Sequence, residues 1–460
     1  MSRPKRDRRR GSIYLGLAAG LFATSGALVG GYAISGDGTA PTRPTPAAAA
    51  AATTDHAALV TAVEGALAAK VTLTAAGRTR RLTWSQLGVS VDPAELPYAA
   101  RKIEGADPVA SLAPLGALPI RVDRAAATRA LAGLKAEVDR APTSAYLDLE
   151  ARAIHDDAPG FAIDVYASLD RIEAAARSGA ATVELVGVPV PAEVTRQSLR
   201  IDDISHVLGT FTTKFAVADR DRNFNLKLAA SKLNGYVLEP GVEFSFNAVV
   251  GDRTEKEGYK IAHVITAGEM VDGLAGGTCQ ISTTLFGASF FAGLDIVKTT
   301  NHSRPSTYVT MGLDATVVYP TTDLIMKNPY PFPVVIHYRV ARGESVVEIL
   351  GQERPWDQIA FERKVIETTP FATEERLDEA LPVGYEAQDQ AGFDGYKLVR
   401  YRKFYKGDRE VKSEKWTVTY KPVTEYLRKG TNPDPTLPMP TAKTPHGPKA
   451  PGGGSGRIVQ

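Results

Sequence analysis

The spacing of apolar positions changes several times along this chain, and each change predicts a different kind of element. Residues 12–34 carry no charge at all. As a helix rising about 1.5 Å per residue, such a stretch reaches across a hydrocarbon layer of about 30 Å. Residues 36–54 are rich in Pro, Thr, Ala and Gly and read as a linker. His56 to Leu67 then forms a short helical run. From 58 to 195 short strand and helix signals alternate. Val71-Thr72-Leu73-Thr74 and Arg81-Leu82-Thr83-Trp84 read as strands, and Leu118-Pro119-Ile120-Arg121-Val122 as an edge strand. Asp123 is placed to cap a helix that runs to about Arg140. Asp148-Leu149-Glu150, Gly160-Phe161-Ala162-Ile163-Asp164 and Val183-Glu184-Leu185-Val186 complete this pattern.

Between 200 and 345 the pattern is mixed. Leu226 to Leu233 reads as a short helix ended by Asn234-Gly235. Pro240-Gly241 signals a turn before the strand Glu243-Phe244-Ser245-Phe246. Val317-Val318-Tyr319 and Val334-Val335-Ile336-His337-Tyr338 read as late strands. The many Gly and Asn turns favour an α+β arrangement over a doubly wound sheet. From 357 to 428 apolar and polar residues alternate, as in Tyr396-Lys397-Leu398-Val399-Arg400-Tyr401 and Trp416-Thr417-Val418-Thr419-Tyr420. That is the period of half-buried strands, and Lys406-Gly407-Asp408 fits a hairpin turn between two of them. Residues 431–460 are rich in Pro, Gly and polar residues and read as a disordered tail.

One stretch carries candidate chemistry: Gly276-Gly277-Thr278-Cys279-Gln280-Ile281-Ser282-Thr283-Thr284-Leu285. Thr278 as N-cap and Gly293 as stop predict a helix of about four turns with Cys279 in its first turn. The free N–H groups and dipole of a helix start favour a thiolate. Gly276 and Gly277 allow close backbone approach, as an oxyanion-binding loop requires. Downstream, His302 and Asp314 supply a base and an orienting acid, with Asp323 as the alternative acid. Gln280, Ser303 and Arg304 are candidate substrate contacts, Arg304 through a bidentate grip on a carboxylate. A lone cysteine is equally a small buried hydrophobe, and Gly-Gly before a helix is equally a turn.

Composition narrows the classes. One cysteine in 460 residues excludes an intramolecular disulfide and a multi-cysteine zinc site. His263 and His337 lack a ligand-spaced partner, so no metal is expected. With no phosphate loop, no H-E-x-x-H and no G-x-S-x-G, no cofactor is expected either. A net charge of +2 gives no support for nucleic-acid binding. The basic residues cluster instead at Arg3, Lys5, Arg6, Arg8, Arg9 and Arg10, directly before the uncharged stretch. Such a flank stays in the cytoplasm and places the rest outside it. A cleavable signal peptide with its core at Ile13 to Ala23 is the alternative.

These motifs resemble the VanW family. The core Cys279-Gln280 motif is joined, in family order, by Phe211-Thr212-Thr213-Lys214-Phe215, Arg222-Asn223-Phe224-Asn225, Leu233-Asn234-Gly235 and Pro240-Gly241-Val242-Glu243-Phe244-Ser245-Phe246-Asn247. Gly251-Asp252-Arg253-Thr254, Gly258-Tyr259, His302, Tyr308, Gly312-Leu313-Asp314-Ala315-Thr316-Val317 and Asp323-Leu324 follow. Ala275 and Thr278 depart from the family pattern, which has a further glycine and a branched apolar residue there. Residues 58–195 resemble the peptidoglycan-binding domain that precedes VanW and L,D-transpeptidase domains, and 357–428 resemble the glycine-rich G-five domain of wall proteins. The resemblances imply an α+β multidomain chain: cytoplasmic segment 1–11, transmembrane anchor 12–34, linker 35–57, wall-binding domain 58–195, VanW-like domain 200–345, small all-β module 357–428 and tail 431–460. They imply a single-pass membrane protein with its body outside the cytoplasm and peptidoglycan or a related polymer as partner. The function implied is wall binding or, alternatively, Cys279-dependent acyl transfer or amide hydrolysis on wall peptides, the L,D-transpeptidases also pairing a Cys with a His. The family name adds a link to vancomycin resistance.

Overall fold

The computed structural model describes residues 55–103, 107–266, 269–440 and 456–460. The expected segment 1–11, the span 12–34, nearly all of the linker and residues 441–455 of the tail lie outside them. Among the described residues no helix is long and apolar enough to cross a membrane. The chain divides into two units, Met1–Ala66 with Val91–Pro119, and Leu67–Ser90 with Ile120–Gln460. The stretch 58–195 contributes to both.

The described part of the first unit is helical. Its helix Pro108–Leu112 starts where Asp107 accepts a hydrogen bond from the Val109 N–H at 3.0 Å, with proline in the first turn.

In the second unit, Lys70–Ala75 pairs antiparallel with Arg78–Thr83 and parallel with Thr182–Glu184. Its period-two pattern buries Val71, Leu73 and Ala75. Helices Arg124–Val138 and Val165–Ser178 start at the caps Asp123 and Asp164.

The larger body is built on a four-stranded antiparallel sheet. Its order is His206–Lys214, Glu344–Gly351, Val334–Ala341 and Val237–Leu238. Helix Thr278–Phe291 packs on this sheet and buries every residue except Cys279. A helix apolar or hydroxylated on all sides has no solvent face, so it must be enclosed. The enclosure is tight. A Cβ on Gly287 would sit 2.3 Å from the Phe211 ring, and one on Gly209 would sit 2.3 Å from the Ala292 nitrogen. The helix ends at Ala292, followed by Gly293 with φ +77°. A three-stranded sheet of Glu243–Ser245, Ile325–Lys327 and Asp295–Lys298 lies in the same body.

Two local expectations fail here. Val317-Val318-Tyr319 is not a strand; only Val318 forms a bridge, to Thr322, and the segment turns to line a cavity. Phe246 opens the short helix Phe246–Val250 rather than ending a strand, because the Ser245 hydroxyl accepts from the Ala248 N–H at 3.0 Å.

The C-terminal part is all β. One sheet runs Arg409–Tyr420, Gly395–Lys406, Gln358–Thr369 and Gly456–Val459; the other joins Thr373–Pro382, Glu425–Asn432 and Glu386–Gln390. Gly407, at φ +56°, turns the predicted hairpin. Residues 456–459 depart from the expected disordered tail. They pair with Ala360–Arg363, satisfying the free edge of a strand that composition alone does not reveal.

This β part is docked firmly on the body. Arg402, 1% exposed, donates to the Phe290 and Leu294 carbonyls at 3.2 and 2.7 Å, and its remaining donors engage Glu414. Carbonyls at the end of the Cys279 helix are thereby satisfied by a cation, the favourable sign at a helix C-terminus. Arg400 donates to the Gly312 carbonyl at 2.8 Å and lies between the Phe286 and Trp416 rings.

Candidate active site

Cys279 sits in the first turn of the enclosed helix, with Gly277 as N-cap at φ +104°. A side chain at Gly277 would be strained and would press within 3.1–3.2 Å of Leu226 and Arg222. Thr278 is not the cap; its buried hydroxyl donates to the Ala275 carbonyl at 2.8 Å. Ala275 itself keeps a left-handed φ of +62° where the family pattern has glycine.

The rest of the motif anchors this turn. The Gln280 amide accepts from Arg222 Nη2 at 2.7 Å and donates to Thr213 Oγ1 and the Lys214 carbonyl, both at 2.9 Å. Its polar atoms are taken by the protein, so Gln280 positions the helix. Ser282 Oγ donates to the Ala315 carbonyl at 2.6 Å, while Thr283 Oγ1 accepts from the Ala315 N–H at 3.0 Å. The two hydroxyls staple the residue after Asp314 to the helix that carries Cys279.

Asp314 is 1% exposed. Its Oδ2 accepts from the His302 backbone N–H at 2.7 Å and lies 2.8 Å from His302 Nδ1. Its Oδ1 accepts from the Tyr420 hydroxyl. Burial pushes this carboxyl up, but the hydrogen bonds from His302 and Tyr420 outweigh burial and hold it below the usual carboxylate range. A carboxylate only accepts, so Nδ1 of His302 carries the proton there and Nε2 is left for the reacting side. The Tyr308 hydroxyl lies 3.3 Å from Nε2. Burial alone would lower the imidazole. Tyr308 and the hydrogen bonds to Asp314 and Cys279 reverse this and raise it well above its ordinary value. Burial would likewise push the Cys279 thiol up, but its hydrogen bond and charge interaction with His302 bring it down. Both shifts favour the thiolate and imidazolium forms of the pair. Sγ also lies 3.5 Å from the Val317 carbonyl.

Cys279, His302 and Tyr308 line a cavity of about 380 Å³ together with Arg222, Arg253 and Asp252. The structure therefore brings Cys279, His302 and Asp314 together, with Gly277 in the cavity wall. Gly276 stands behind it, its carbonyl accepting from Asn225 at 3.2 Å. Ser303 and Arg304 are outside the lining. Ser303 is exposed, and Arg304 stacks on the Phe393 ring at 4.4 Å. Asp323, the alternative acid, instead accepts from Ser245 Oγ at 2.5 Å and the Asn247 N–H at 2.9 Å. His337 meets Glu348 at 3.1 Å, and the His263 side chain lies outside the described residues. Among the described residues no cluster of His, Cys, Asp or Glu is arranged to hold a metal.

Sequence reasoning missed three contributors. Arg222 and Arg253 stand within the recognised motifs, but the motifs alone give them no role. Tyr420 is separated from Asp314 by 106 positions, and no local signal connects them.

Residues 221–350 match the family model described as VanW like protein, and residues 362–432 match the G5 domain. The chain carries a VanW-like domain followed by a G5 domain. Over 146 residues it is 38% identical to YoaR, an uncharacterized protein of Bacillus subtilis (strain 168), which covers 32% of this chain and 48% of that one. Over 180 residues it is 26% identical to the vancomycin B-type resistance protein VanW of Enterococcus faecalis (strain ATCC 700802 / V583), covering 36% and 66%. The chain thus spans about half to two thirds of the length of these curated relatives. A solved IgA1 protease G5 domain is 26% identical, covering 16% of this chain and 90% of that one, with a TM-score of 0.13. The strand His206–Lys214, which precedes the family match, belongs to the same sheet as Glu344–Gly351 and so to the VanW-like domain structurally. The candidate site lies within the VanW-like domain except for Tyr420, which the G5 domain supplies.

Proposed function

We propose that this is a cell-wall-associated protein whose VanW-like domain is a cysteine acyl transferase acting on wall peptides. The observation that carries the chemistry is the relay from buried Asp314 through His302 to Cys279 at the wall of a cavity. In the first half-reaction the Cys279 thiolate attacks the carbonyl carbon of a peptide amide. An S–C bond forms, the C–N bond breaks, and the leaving amine takes the proton from His302. In the second, His302 removes a proton from an incoming amine as it attacks the thioester, and the thiolate leaves. Water in place of the amine makes the enzyme an amidase. Asp314 holds the imidazole in one orientation and stabilises its charged form, and general acid–base catalysis of this kind contributes about 10²–10⁴-fold.

The wall assignment is supported by the G5 domain and by the resistance relative. In this reading residues 12–34 anchor the protein in the cell membrane, and the body faces outward, with 58–195 and the G5 domain holding wall polymer. The test is incubation of the full chain with purified wall peptides, with products read by mass spectrometry. The wild type should give a Cys279 thioester and exchanged or hydrolysed products. Products unchanged in folded Cys279→Ala would sink the catalytic reading.

A non-catalytic wall-binding role is the second reading, favoured by the G5 match alone. Sedimentation with sacculi measures it directly, and absence of binding removes its basis.

A further inference from the structure

We infer that the cavity receives its acyl donor through a free carboxylate, bound by Arg222 and Arg253. The inference rests on the reading of Cys279 as the nucleophile and adds the class of donor it takes: a peptide with a carboxylate beside the carbonyl carbon to be attacked.

The cavity wall holds two guanidinium groups and a single carboxylate, that of Asp252. Asp252 is exposed, and its Oδ1 accepts from the Arg253 backbone N–H at 2.8 Å. Among the described residues neither arginine side chain forms an ion pair. Arg222 gives Nη2 to Gln280 Oε1, a neutral amide, at 2.7 Å. Arg253 gives Nη2 to Asn247 Oδ1 at 2.6 Å and rests over the Phe246 ring. Its Nε and Nη1 are buried with no acceptor. Burial lowers both guanidinium groups from their ordinary value, opposed at Arg222 by Tyr308, Asp219 and Cys279 and at Arg253 by Tyr259, Cys279, Asp323 and Asp252, none of them in a direct ion pair with the guanidinium. Cations partly withdrawn from water without a direct ion pair are costly, and buried donors without acceptors are rare. A ligand carboxylate in the cavity supplies the missing direct ion pair, and arginine is the side chain suited to it. Arg304, the candidate from sequence, is committed to Phe393 outside this cavity.

The single cysteine allows a direct test. Iodoacetate and iodoacetamide have nearly the same shape, and both react by thiolate attack with loss of iodide, so the ratio of their rates cancels the thiolate fraction. Rate constants are measured on the full chain of the wild type, Arg222→Gln, Arg253→Gln, the double variant and Arg253→Lys. The wild-type iodoacetate-to-iodoacetamide ratio is expected to exceed that of the urea-unfolded chain by about tenfold or more. It should fall about threefold or more in each Gln variant, further in the double variant, and be largely kept in Arg253→Lys. His302 is present throughout, so its contribution is constant. High salt should also compress the wild-type ratio, a measurement that needs no variant. A wild-type ratio insensitive to salt, or one unchanged in the folded double variant, overturns the proposal while leaving Cys279 a nucleophile. A thiol inert to both reagents until unfolding overturns the nucleophile reading and this proposal with it.

Discussion

The Tyr420 hydroxyl donates to Oδ1 of Asp314 and itself accepts from the Gly312 N–H at 2.8 Å. A residue of the G5 domain therefore completes the surroundings of the acid that orients His302. Tyr420→Phe leaves a buried carboxylate oxygen and a buried N–H short of a partner, which costs about 1–3 kcal/mol. Chemical denaturation should show that loss. The hydroxyl also helps hold the Asp314 carboxyl down, so its removal lets that carboxyl protonate at a higher pH and should shift the acid limb of the Cys279 alkylation profile. An alkylation profile identical to that of the wild type would leave Tyr420 a packing residue only.

Alkylation of Cys279 with iodoacetamide should already proceed at pH values below the free-thiol value of about 8.5. His302→Ala removes the main lowering influence and should raise the midpoint by about one pH unit or more. Reactivity that follows an ordinary thiol in both proteins would refute the ion pair.

Stability should carry the same signature. The folded-state pKa of His302 is raised, so its pairing stabilises the fold fully below the unfolded value of about 6.5, and this contribution is lost as pH rises through the folded value. The pH-dependent part of the His302→Gln penalty should therefore be largest on the acid side of that window and shrink above it. Denaturant midpoints from pH 5 to pH 9 measure this.

Gln280 ties Arg222, Thr213 and the Lys214 carbonyl to the helix. Gln280→Ala strands these groups and should cost about 2–4 kcal/mol, since one partner of each charged or buried hydrogen bond is lost. Normal stability in this variant would show that the anchor is dispensable.

Gly287→Ala forces a methyl onto the Phe211 ring. Overpacking of this kind costs about 1–3 kcal/mol, even though alanine is the better helix former. A rise in melting temperature would show that Phe211 swings aside freely.

Much of this architecture could be read locally. Asp123 and Asp164 announce their helices because a cap is a contact between neighbours in the chain. The alternation in 395–420 announces strands because pleating repeats every two residues. Cys279 at a helix start was equally legible, from the glycines before it and the apolar pairs after it. Chain order, however, could not distinguish Asp314 from Asp323 as the acid. That choice was made in space, where Ser282 and Thr283 staple Ala315 to the cysteine helix and Asp323 is spent on Ser245 and Asn247. Nor could sequence separate the arginine on Phe393 from those in the cavity, or join Tyr420 to Asp314. Local backbone preferences act over a few residues, whereas the desolvation and hydrogen bonding that build this site depend on which distant segments are buried together.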